Sequence, residues 1–184
     1  MVTRVSKSMA LLAAVLLLIV SGCAKHYVIT QGLEEPINSQ PTCYVDEIVD
    51  YLPVDTKVED RPTTEDIDKL RGYIVERMQD EGVVSMLSEF SDELDSARYR
   101  VSGKIMAFKK GSGFLRYLIG FGAGSAKLTV ALDLVDQKTD KIIYSGSFSE
   151  KISSGYESGA ESFKRVAKNF AKALRKENEK LAKM

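Results

Sequence analysis

The chain has 184 residues, with 26 basic and 26 acidic side chains, a formal charge of zero and no tryptophan. That length allows one domain with its own core, and that charge balance excludes a dedicated nucleic-acid binder, which carries a strong basic excess. Two cysteines and a single histidine leave little for a disulfide framework, a metal cage or a Cys–His pair.

The first seven residues carry two positive charges, Arg4 and Lys7, and no acid. An apolar run from Met9 to Val20 follows. At roughly 12 residues it falls short of the ~20 needed to cross a bilayer, and it fits the hydrophobic region of a secretory signal. Ser21 and Gly22 supply small residues, and Cys23 comes next. The block Val20-Ser21-Gly22-Cys23 resembles the lipobox of bacterial lipoproteins. That resemblance implies a diacylglycerol on the Cys23 thiol, removal of residues 1–22, and acylation of the new amine with a chain such as palmitate. Several acyl chains hold a protein on a membrane far better than one. Ala24, where an aspartate would retain a Gram-negative lipoprotein at the inner membrane, implies an outer-membrane address on the periplasmic face.

Residues 24–41 show no sustained period, and Gly32, Pro36, Asn38, Ser39 and Pro41 mark turns. They read as a flexible, lipid-anchored tether (23–41) that spaces a single domain (42–184) from the lipid. His26 lies in this tether without a partner.

A first strand is expected over 42–52, where Tyr44, Val45, Ile48, Val49, Tyr51 and Leu52 are apolar on both faces. Asp46, Glu47 and Asp50 interrupt it, and with no neighbouring histidine they read as a solvated edge, with a metal site as the minor alternative. Cys43, the one thiol left in the domain, reads as a small buried apolar residue; an intermolecular disulfide and a catalytic thiol are weaker alternatives. The spacing of Ile67, Leu70, Ile74 and Met78 predicts a helix from about Thr64 to Glu81. Thr63 or Thr64 caps its start, acids fill its first turn, and Gly82 ends it. Val83–Phe90 fits a short strand or a helical turn, and the acidic run 91–96 a loop.

A period of two marks three further strands. Tyr99, Val101, Ile105 and Ala107 define the first. Leu128, Val130, Leu132 and Leu134 define the second, over about 126–135. Ile142, Tyr144, Gly146 and Phe148 define the third. The five residues 136–140 form a hairpin loop, so the three make an antiparallel meander. The last helix spans about 159–183, with a capping box at Ser158–Glu161 and a buried face of Phe163, Val166, Ala167, Phe170, Ala171 and Leu174. Arg175, Lys176, Lys180 and Lys183 crowd its end, where they complement the helix dipole; contact with anionic headgroups is the other reading.

Between the first two meander strands lies a glycine-rich segment, GSGFLRYLIGFGAGSA, residues 111–126. It lacks both Gly-Lys-Ser/Thr and G-x-G-x-x-G spacing and leads into a strand, so a nucleotide is not its ligand. Phe114, Leu115, Tyr117, Leu118, Ile119 and Phe121 are bulky, Arg116 is its one charge, and Gly120, Gly122 and Gly124 permit tight bends. A loop this apolar either folds back on its own core or contacts a neighbour, a partner protein or the membrane. The run Gly120–Lys127, followed by alternating apolar residues and Asp136, resembles an uncharacterised bacterial lipoprotein family known as domain of unknown function forty-four-ten. Arg116 and Lys127 fit it, and the resemblance covers about residues 43–175. That family usually has glycine in the hairpin loop where this chain has Asp140, and aspartate tolerates the left-handed conformation better than most residues. The family has no assigned activity, so the resemblance implies no catalytic residue. The layout is also similar, more distantly, to the periplasmic domains of curli-secretion lipoproteins and TolB-like proteins.

The expected fold is α+β. It has a mostly antiparallel sheet of four to five strands with two helices on one face, in the order β-α-β-β-β-α, and its first strand, helix and second strand form a right-handed parallel crossover. The expected function is that of a non-enzymatic envelope lipoprotein acting as a binding or assembly module, with no cofactor, metal, nucleotide or nucleic acid. Its expected partners are membrane lipid through Cys23 and either an envelope protein or further copies of itself. A subunit of an oligomeric export channel is the alternative. An envelope hydrolase is a third reading that no Ser/His/Asp set or paired carboxylate supports.

Overall fold

The computed structural model describes residues 27–87, 93–109, 126–152 and 159–184. Six strands form one sheet: β1 Tyr27–Gln31, β2 Thr42–Asp50, β3 Ser85–Met86, β4 Tyr99–Lys109, β5 Ala126–Asp136 and β6 Lys141–Ile152. Among the described residues two α-helices accompany them, α1 Thr64–Glu81 and α2 Gly159–Leu181. Across the sheet the order is β1-β6-β5-β4-β2-β3. The three pairings from β1 to β4 are antiparallel, while β2 runs parallel to both β4 and β3. The sheet is therefore mixed and has six strands, where four to five and mostly antiparallel were expected. Parallel neighbours follow from the chain leaving β2, crossing through α1 and returning in the same direction.

The segment read as a tether supplies the extra strand. Tyr27–Gln31 pairs with β6, and Tyr27 stacks on Phe148 at a centroid distance of 5.6 Å. Beyond it, Leu33 and Ile37 are each only 7% exposed. The Ile37 N–H donates to Asn178 Oδ1 on α2 at 2.6 Å, and Asn178 Nδ2 donates back to the Ile37 carbonyl at 3.2 Å. Two buried apolar side chains and a reciprocal amide pair hold residues 33–37 against the body.

α1 forms as its sequence predicts. Thr63 accepts from the Asp66 N–H while the Asp66 carboxylate accepts from the Thr63 N–H, which satisfies two of the orphan donors at the helix start. Gly82 ends the helix at φ +66°, in the left-handed region that glycine enters without penalty. Leu70, Ile74 and Met78 are buried. On α2 the expected face of Phe163, Val166, Ala167, Phe170, Ala171 and Leu174 is buried. The capping residue Ser158 lies outside the described residues.

The inner face of the sheet carries the core: Val101 and Ile105 from β4, Leu128 to Leu134 at alternate positions of β5, and Tyr144 and Phe148 from β6. Phe170 of α2 meets Phe148 edge-on at 5.5 Å and Tyr144 at 6.1 Å. Bulges re-phase the strands where alternation fails. In β2 the register slips between Val45 and Ile48, so both point inward although three positions apart. In β4 a slip at Met106 turns Phe108, not Ala107, toward α2, where its ring stacks on Phe163 at 6.1 Å. In β6 a slip at Ile143 leaves Ile142 42% exposed. Among the described residues no helix is long and apolar enough to cross a membrane.

Candidate functional site

Cys23 and the contact residues named from sequence (Phe114, Leu115, Arg116, Tyr117, Leu118, Ile119, Gly120, Phe121, Gly122 and Gly124) lie outside the described residues. Their described neighbours still locate where the chain enters and leaves the sheet. Lys109 of β4 pairs with Lys127 of β5, and Ala126 pairs with Ile152 of β6, so both ends of segment 110–125 open at one end of the sheet. β1 runs antiparallel to β6 and enters from that same end, with Tyr27 level with Phe148. Cys23 stands four positions before Tyr27. Four extended residues reach at most ~14 Å, about the rise from Tyr27 to that end of the sheet.

The opposite end is closed by charge. Arg98, just before β4, donates to Asp136 Oδ2 at 2.5 Å. The other Asp136 oxygen accepts the Lys138 N–H at 2.9 Å, which closes the hairpin turn. Arg100 bridges Asp46 on β2, at 2.9 Å, and Asp140 in the hairpin, at 2.7 Å. These hydrogen bonds raise the Arg100 pKa further, so its charge is permanent. Asp140 sits at φ +52°, the left-handed conformation expected for the residue that replaces glycine. Asp136 and Asp140 are thus structural clasps. A cleft of about 290 Å³ opens beside them, between the connector Gln31–Ile37 and the hairpin, with Glu34, Glu35 and Lys141 on its walls.

The acids considered for a metal are engaged otherwise. Asp46 holds Arg100, Asp50 holds Arg61 at 2.7 Å, and Glu47 is exposed. No group of three His, Cys, Asp or Glu is placed to hold a metal among the described residues. Cys43 is fully buried, and burial pushes its thiol up to about 12, far from the thiolate that a nucleophile needs.

Among the described residues the outer face of the sheet carries no helix. Thr129 and Ser149 share a hydrogen bond at 2.9 Å, Ser145 donates to Asp133 at 2.5 Å, and Thr30 donates to the Ser145 oxygen at 3.0 Å. This face is a polar, hydroxyl-rich surface. Sequence reasoning missed the arginine clasps and β1. The β-branched composition of Tyr27-Val28-Ile29-Thr30 was the available signal for the latter.

A family model described as "Domain of unknown function (DUF4410)" matches residues 54–153. No curated protein matches the chain. Among solved structures, the PelC dodecamer from Paraburkholderia phytofirmans superposes with a TM-score of 0.57 at 15% identity, covering 79% of this chain and 96% of that one. A Xanthomonas campestris protein of family DUF330 gives a TM-score of 0.54 at 10% identity, covering 85% of this chain and 95% of that one. At these identities the likeness is one of fold.

Proposed function

This chain belongs to the DUF4410 family, and on that footing we propose that it is a non-enzymatic lipoprotein of the cell envelope, anchored through Cys23 and acting as a binding or assembly module at the membrane surface. The anchor is the lipidated cysteine, the address is the periplasmic face of the outer membrane, and the contact surface is the segment Phe114–Gly124. The observation that carries the reading is the shared end of the sheet. The chain comes in from Cys23 at the same end where the apolar segment leaves β4 and returns to β5. A segment this apolar is stable in water only when covered, and the lipid anchor brings a bilayer to this end.

The second reading is a subunit of an oligomeric export channel. It draws support from the fold shared with PelC, which forms a dodecamer. One experiment tests both. Mass spectrometry of the protein extracted from membranes reads the acylated Cys23, and light scattering in detergent reads the assembly size. The module reading expects a defined complex that Leu118→Asp or Phe121→Asp dissolves while the circular dichroism spectrum is unchanged. A large ring favours the channel reading. A monomer in both wild type and variants counts against both, and an unmodified Cys23 overturns the anchor.

A further inference from the structure

The outer face of α2 carries a line of cations, with Glu179 as the one acid in its arc. Arg165, Lys168, Lys172, Lys176 and Lys180 recur at spacings of three and four, which keeps them within an arc of about 120° along about 22 Å of helix. They lie opposite the buried Phe163, Val166, Phe170 and Leu174. α2 holds seven basic side chains against three acidic, whereas α1 beside it holds three basic against six acidic. A formally neutral chain has therefore sorted its helical layer by sign.

Two ordinary explanations fall short. The helix dipole favours cations only in the last turn, which here contains Lys180; Arg165 and Lys168 stand in the first half, where it gives them nothing. Local ion pairing is absent along the line of lysines. On this helix Lys164 pairs with Glu161, and Arg175 with Glu81 and Glu179. Among the described residues Lys168, Lys172, Lys176 and Lys180 join none, and their spacing of four sets like charges side by side, which weakens an isolated helix.

The helix that carries the stripe lies on the flank of the incoming chain. α2 packs on β6 and β5, and β1 is the edge strand next to β6. The connector after β1 is bonded to α2 through Ile37 and Asn178. The acidic α1 lies on the other flank, packed against β2.

We propose that this stripe docks on an anionic lipid surface, its lysines among phosphate-bearing headgroups. This rests on the lipid-anchor reading: Cys23, at most ~14 Å from Tyr27, keeps the domain beside a bilayer, and the stripe lies directly on the headgroups, whose potential fades within about 10 Å. A lipid chain and a polybasic patch reinforce one another as membrane signals. The stripe has no aromatic side chain on which a nucleic-acid base would stack, and lysine is depleted at the centres of protein–protein interfaces.

The test uses full-length mature protein reconstituted into vesicles of phosphatidylcholine alone or mixed with phosphatidylglycerol, and reads amine acetylation lysine by lysine. Lys168, Lys172 and Lys176 lose reactivity several-fold on the anionic vesicles only, recover in high salt, and leave Lys69 on α1 as an unchanged reference. Replacing the stripe (Lys168→Gln, Lys172→Gln, Lys176→Gln, Lys180→Gln) abolishes the preference of the protein for anionic vesicles. Equal labelling on both vesicle types overturns the proposal. So does protection by a dissolved anionic polysaccharide with none on anionic vesicles. Flotation with the neutral vesicles reports the lipid anchor separately, so a failed anchor and a failed stripe give different results.

Discussion

Arg98 and Asp136 lie 38 positions apart in sequence, yet one guanidinium–carboxylate contact joins the start of β4 to the end of β5. The arginine also holds the hairpin by its backbone, since its carbonyl accepts the Gln137 N–H at 3.0 Å and its own N–H donates to Thr42 at 3.0 Å. Three strands are fastened at this one corner. The Asp136 side chain is 8% exposed and that of Arg98 is 35% exposed, so the carboxylate is the partner that water serves least.

Removing that carboxylate strands its partners. Asp136→Ala leaves the arginine without its anion and the Lys138 N–H without its acceptor. Hydrogen bonds to charged groups contribute about 1.5–3 kcal/mol each, and loss of one partner of a buried pair costs more than loss of both. We expect a loss of about 2–4 kcal/mol, read as a lower denaturant midpoint at unchanged slope. Arg98→Met costs more, because it leaves the less exposed carboxylate charged and without its counter-ion, whereas water can partly solvate a stranded Arg98. Equal costs for the two single variants would contradict this asymmetry.

How much of this was legible in sequence depends on the range of the interaction that decides each element. α1 was readable to the residue, because Thr63, Asp66 and Gly82 act within a turn of their own positions. β5 was readable because Leu128 to Leu134 alternate without interruption. β1 was not, because Tyr27–Gln31 is a strand only by virtue of β6, more than a hundred residues away, and lies among turn-forming residues. The bulges at Met106 and Ile143 were hidden for a related reason: a slip in register belongs to a pair of strands, and no single strand encodes it. Of the candidate site, Asp136 and Asp140 stood out through family resemblance. Their arginines did not, since nothing local distinguishes Arg98 and Arg100 from a surface charge.

Burial of Cys43 sets an alkaline limit on stability. The thiol is pushed up to about 12 in the folded state from 9.0 when solvated. Below pH 9 both states keep the proton and the thiol adds no pH dependence. Between about pH 9 and 12 the unfolded chain releases a proton that the folded chain retains, so stability falls as pH rises. The slope from this group approaches about 1.4 kcal/mol per pH unit. Cys43→Ala lowers stability at neutral pH by opening a small cavity but flattens the first part of this alkaline decline, which urea titrations from pH 7 to 10 will read. A maleimide or disulfide reagent should label the native thiol no faster than global unfolding exposes it. Labelling in native buffer at the rate of a free thiol would contradict the burial.

Tyr144 tests the core from the opposite direction. Its ring is fully buried between the sheet and Phe170, yet its hydroxyl finds no hydrogen-bond partner among the described residues. Burial raises its pKa first, and the Glu177 carboxylate adds to the effect. A buried hydroxyl without a partner keeps its desolvation cost and gains nothing in return. Removing it while keeping the ring should therefore not weaken the fold. Tyr144→Phe is expected to match or exceed the wild-type stability by up to about 1 kcal/mol, a direction opposite to that of most core substitutions. It also removes a group whose unfolded form ionises near pH 10, so the alkaline decline above that pH becomes shallower than in wild type. A loss of more than about 1 kcal/mol would mean that the hydroxyl does hold a partner, a bound water being the simplest. Paired with Cys43→Ala, the variant divides the alkaline limb into two, the thiol acting from pH 9 and the phenol from pH 10. Additivity of the two slopes would show that the groups titrate independently at well-separated sites.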